Sequence, residues 1–238
     1  MKNSLVVIIM LLWLSSITTY GQQDTVMLGV KYTKSYIDTD FHIYKVYYKG
    51  TNTRVPEKIF TKLVKENSNL FLERVIDDAG NITRYLYDPN RKGGVTDTFL
   101  DTSHKGDFPN FKLHTVTDET IELSKLSGKI VILRFELEAT TFRFKKHEIQ
   151  ELDEKINALQ NKDAVEAIII FQCSKSEVLE GFDLKDSNFK LVSDGRNFID
   201  KYGISRFPST LVIDQNGNLM GTFRDVDEID LETYLKNE

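Results

Sequence analysis

Two short apolar runs with a charged segment between them constrain this chain more than any other feature. KIVILRF (129–135) and AVEAIIIF (164–171) have the length and continuity of strands buried on both faces. From about Arg143 to Gln160 the chain is charged, yet Ile149, Leu152, Ile156 and Leu159 recur every three or four residues. That spacing predicts a helix with one apolar stripe. A strand, a crossover helix and a second strand pair in parallel. Further on, NFIDKYGI (197–204) predicts a short helix, STLVID and NLMGTF flank an Asn216-Gly217 turn, and IDLETYLK (229–236) predicts a closing helix. Residues 106–238 therefore read as an α/β sheet, parallel in its first half and antiparallel at one edge.

Residues 22–89 read as a small N-terminal α+β domain. FHIYKVYY (41–48) has strand composition, and Pro56 precedes Ile59, Phe60, Leu63 and Val64 at helical spacing. NLFLERVI and ITRYLYD flank Asp77-Asp78-Ala79-Gly80-Asn81, a hairpin signal. A unit this small has a thin core, so docking on the second part is expected. The aromatics of 41–48 with Tyr85, Leu86 and Tyr87 read as core on one side and surface on the other. Residues 90–105, with Gly93-Gly94 and no periodicity, read as a linker.

The first 21 residues have the pattern of an export signal: Lys2, an unbroken apolar run from Leu5 to Leu14, then small residues ending at Gly21. The run is ten residues long, against about 20 for a helix that spans a bilayer. No cysteine follows it to carry a lipid. The expected product starts near Gln22, is periplasmic or secreted, and has no stable membrane span. Its charge falls from −5 to −6 with the loss of Lys2.

Composition removes several function classes. The chain has 40% hydrophobic residues and a modest net charge, which excludes disorder. It has no long basic run, so no nucleic-acid partner is expected. One cysteine, Cys173, excludes an internal disulfide and a cysteine zinc cluster. His42, His104, His114 and His147 form no ligand spacing, so neither metal nor cofactor is expected. His147 and Glu148 read as a solvated helix face.

The order of elements resembles the thioredoxin fold, a mixed sheet flanked by helices. More narrowly the chain resembles exported redoxins of the TlpA/ResA type and their AhpC/TSA relatives. Three stretches carry the resemblance: Asp107-Phe108-Pro109-Asn110-Phe111-Lys112-Leu113 with TVTDETIELSKLSGK, the KIVILRF strand, and Tyr202 to Asp214 with Pro208 at the position of the family's cis-proline. In such proteins a Cys-x-x-Cys turn follows the central strand, where one thiolate attacks a disulfide and the second cysteine resolves it. Here the corresponding stretch is Ala139-Thr140-Thr141-Phe142-Arg143-Phe144-Lys145, with Phe142 and Lys145 at the two cysteine positions. The peroxiredoxin cysteine, expected at nearly the same place, is missing too.

The resemblance therefore implies a redoxin domain without its redox pair, whose expected function is to bind a protein or peptide partner. The candidate contact residues are Thr140, Thr141, Phe142, Arg143, Lys145, Phe207 and Pro208, with Phe144 as a further apolar contact. Arg143, Lys145 and Lys146 form a short basic patch. The alternative is a thiol-disulfide or peroxidase-type enzyme working through Cys173 alone, its thiolate favoured if Lys175 points inward. Expression in a bacterial host should yield an exported chain whose N-terminus, read by Edman degradation, lies near Gln22. An intact Met1 in the recovered protein would contradict the signal assignment.

Overall fold

The computed structural model describes residues 41–67, 70–91 and 106–235. The expected signal (1–21) and nearly all of the expected linker (90–105) lie outside these residues. Contacts divide the chain into Met1–His42 and Ile43–Glu238. Of the first unit only Phe41 and His42 are described, so the architecture is that of the second unit.

Its first elements are β1 (Val46–Tyr48), helix α1 (Glu57–Glu66), β2 (Glu73–Ile76) and β3 (Ile82–Tyr87). They make a three-stranded sheet in the order β1-β3-β2, with β1 parallel and β2 antiparallel to β3. Much of FHIYKVYY is not strand: residues 43–45 form a turn of 3-10 helix ahead of β1. Val46 and Tyr85 are buried, while Arg84 lies over the outer face of Tyr47.

A short hairpin follows, β4 (Lys112–His114) and β5 (Thr120–Glu122). Then come β6 (Ile130–Glu136), α2 (Lys146–Ala158), β7 (Val165–Phe171), α3 (Lys175–Gly181) and β8 (Phe189–Val192). The chain ends with α4 (Arg196–Lys201), β9 (Ser209–Ile213), β10 (Leu219–Phe223) and α5 (Leu231–Leu235). These strands form one sheet in the order β10-β9-β6-β7-β8. β6 runs parallel to β7 and antiparallel to β9, so the sheet is parallel on one side and antiparallel on the other, as the two apolar runs require.

Every residue of β6 and β7 is buried. Alternate side chains point to opposite faces, and each face is covered by different elements. Ile130, Ile132, Ala167 and Ile169 pack with Ile149, Leu152 and Ile156 of α2. Val131, Leu133, Phe135, Ile168 and Ile170 pack with Phe111, Leu113 and Ile121 of the β4–β5 region and with Phe198 and Tyr202 of the α4 region. Helix α3 and strand β8 are absent from the sequence reading. Ser174 caps α3 by accepting from the Glu177 amide while the Glu177 side chain returns to the Ser174 amide, so the motif was present in the residues.

The small sheet docks through its β2–β3 turn. Asp77 Oδ1 accepts from the amides of Ala79 and Asn81 and shapes the turn. Lys201 of α4 then donates to the Asp77 carbonyl (3.1 Å), the Asp78 carboxylate (2.9 Å) and the Asn110 carbonyl (3.0 Å). Asn197 donates to the Gly80 carbonyl at 2.8 Å, and Arg74 pairs with Asp200. Gly80 has φ +81°, and a Cβ there would meet the Phe198 ring at 2.7 Å. Gly217 has φ +86° but open space around it. Gly80→Ala should lower stability in urea unfolding by about 1–3 kcal/mol from backbone strain and the ring contact together. Gly217→Ala should show the backbone part alone. Equal losses would mean that the turn is not held against Phe198.

Candidate functional site

The site lies where β6 ends, at the start of α2. Antiparallel register places Phe135 opposite Ser209, so the segment just before β9 runs beside the end of β6. That segment contains the cis peptide bond between Phe207 and Pro208, as expected for the proline of this loop. Two clefts share Phe207 and Pro208. One, of about 260 Å3, is also lined by Glu136, Leu137, Glu138 and Arg143. The other, of about 460 Å3, is also lined by Lys145, Arg206, Arg224 and Asp225.

Beneath them is a buried ionic cluster. Arg134 sits in the middle of β6 and is wholly buried. Its Nε donates to Glu136 Oε1 (2.8 Å), one Nη to Thr210 Oγ1 (3.0 Å) and the other to Glu148 Oε2 (2.5 Å). Lys145, at the N-cap of α2, donates to the second oxygen of Glu148. One guanidinium thus joins the central strand, the strand after the cis-proline and the first turn of α2. Burial pushes the Glu148 carboxyl up, but hydrogen bonds from Lys145 and Arg134 outweigh this and hold it below the usual carboxylate range. Burial pushes the Glu136 carboxyl up more strongly than Arg134 pulls it down, and it stays raised.

This cluster corrects the sequence reading. Glu148 is not on a solvated face but is buried, although its neighbour His147 is exposed. The signal was Arg134 itself, a charge within an apolar run that needs a buried partner. Phe144 is also not a contact surface. It is buried against Phe171 and Phe182 in the core.

The remaining candidates divide. Arg143, Lys145, Phe207 and Pro208 come together around the clefts. Phe142 stands 94% exposed, and Arg143 reaches over its ring. Thr140 is exposed, whereas the Thr141 hydroxyl is buried without a hydrogen-bond partner among the described residues. The basic patch is partly consumed, since Lys145 pairs with Glu148 and Lys146 with Asp183. Cys173 lines neither cleft. It is half-buried against the core under Ala139, and burial raises its thiol above the ordinary range, with Glu177 and Glu138 adding to the rise. Lys175 does not point at it but pairs with Asp118. Among the described residues no cluster of His, Cys, Asp and Glu could hold a metal ion.

This arrangement, a mixed sheet flanked by helices with a cis-proline beside the start of α2, is consistent with a thioredoxin-like fold. Residues 105–221 match the model of the AhpC/TSA family. Similar solved structures include a putative thiol:disulfide interchange protein DsbE from Chlorobium tepidum, at 21% identity and TM-score 0.44, covering 56% of this chain and 95% of that one. The C-terminal domain of a putative thiol-disulfide oxidoreductase from Bacteroides thetaiotaomicron is 17% identical, with TM-score 0.47, covering 58% and 99%. A thiol peroxidase from Chromobacterium violaceum is 18% identical, with TM-score 0.44, covering 58% and 83%. No curated protein matches the chain.

Removing one partner from a buried ion cluster leaves uncompensated charge. Arg134→Met should cost about 3–5 kcal/mol at pH 7 in urea unfolding. The gap should narrow toward pH 4. Glu148, held low in the native chain, contributes stability there that is lost as pH falls through its folded value. In the variant both carboxyls lose the Arg134 contribution that lowers them, so each moves up and protonation as pH falls costs the fold less. A gap constant from pH 7 to pH 4 would mean that the cost is packing alone.

Proposed function

We propose that the redoxin domain docks an extended segment of a protein partner beside Pro208 and carries out no thiol–disulfide exchange. The observation that carries this reading is a proline loop with unbonded backbone groups next to a helix start that contains no sulfur. The amide and carbonyl of Phe207 make no hydrogen bond to the described residues, so they stand ready to pair with an added strand. Exchange needs an attacking thiolate and a resolving thiol. Here residues 139–145 contain neither, and the thiol of Cys173 is held protonated away from both clefts. The reading places the module outside the cytoplasm, on the strength of residues 1–21. No helix among the described residues is long and apolar enough to cross a membrane.

The test pairs chemistry with labelling. The purified protein should reduce insulin disulfides no faster than dithiothreitol alone. Cys173 should react with a thiol reagent slowly in the native protein and rapidly in urea. Catalysed insulin reduction that disappears in Cys173→Ser would overturn the proposal in favour of a single-thiol enzyme.

A further inference from the structure

Resting on that reading, we infer that the docked segment is acidic and that its carboxylates meet Arg206 and Arg224. The larger cleft beside Pro208 is lined by three cations and a single carboxylate, Asp225. Lys145 is engaged by Glu148, but Arg206 and Arg224 are exposed and have no ion pair among the described residues. Surface lysines of this chain mostly find acidic partners: Lys49 pairs with Glu73, Lys146 with Asp183, Lys175 with Asp118 and Lys190 with Glu119. Two unpaired guanidiniums at one cleft, in a chain of net charge −5, run against that pattern. The planar fork of arginine matches a carboxylate with two parallel hydrogen bonds.

The rest of the cleft argues for a peptide rather than a free anion. Phe207 and Pro208 form an apolar wall, and the unpaired Phe207 backbone suits an extended chain. The adjoining cleft sets a direction. Glu136 and Glu138 line it against one cation, Arg143, so carboxylates are less favoured there than on the Arg206 and Arg224 side. The docked segment is thus one whose acidic residues lie to that side of the proline and whose uncharged residues lie to the other.

The experiment uses three fluorescein-labelled ten-residue peptides with valine at alternate positions. The intervening residues are glutamate, glutamine or lysine. Fluorescence anisotropy with the full chain should show the glutamate peptide binding about fivefold to tenfold more tightly than the glutamine peptide at low salt. The preference should fade as ionic strength rises. The double variant R206Q/R224Q should lose the preference but keep its affinity for the glutamine peptide. Both arginines are exposed, so its circular dichroism should match that of the parent. Equal binding of all three peptides would overturn the acidic preference and leave the docking site standing. No binding of any peptide would overturn the docking site itself. Binding of phosphatidylglycerol vesicles through these arginines, with no peptide preference, would assign the patch to a membrane surface and overturn the inference.

Discussion

A guanidinium sealed inside the sheet is the constraint on which the rest of this structure depends. Arg134 reaches neither water nor an open cleft, so its donors must be met by protein. Glu136, Thr210 and Glu148 meet them from β6, β9 and α2. These are also the elements whose ends build the two clefts. Fixing the α2 start against the cis-proline loop is therefore a matter of buried charge as much as apolar packing. The cluster also resists slippage. A one-residue shift of β6 would turn Arg134 onto the face packed by Phe111 and Leu113, where no carboxylate waits.

How much of this was legible in the sequence depends on the scale of the interaction. KIVILRF and AVEAIIIF announce two central strands because continuous apolar runs of that length have few other uses. The stripe of Ile149, Leu152 and Ile156 announces α2 for the same reason, although the helix begins at Lys146 rather than near Arg143. Pro208 was legible through the motif around it. Glu148 was not, because helical periodicity describes one helix and says nothing of a strand charge facing its first turn. Phe144 failed similarly. Its position beside Phe142 gives no hint that one ring enters the core and the other stands in solvent. Strand β8 has only its end residues buried, which leaves no periodic signal.

Recognition of a partner and exchange of disulfides place different demands on a site of this shape. On the proposed function, recognition would use backbone groups at the proline loop and the shape of the cleft, whereas exchange would need sulfur at the helix start. The first would rest on the Phe207 backbone and the β6–β9 register, neither of which involves a cysteine. At the helix start, Lys145 takes part in the ionic cluster that holds α2 in place. The helix start is thus held by an ionic network and contains no sulfur.

The half-buried position of Cys173 has a consequence for its reactivity. Exchange between thiols and disulfides proceeds through the thiolate, and desolvation keeps this thiol in its unreactive form. Partial burial thus disfavours the form of the lone sulfur that would attack a disulfide. Among disulfides such a thiol would be a poor attacking group, its burial rather than its absence limiting exchange.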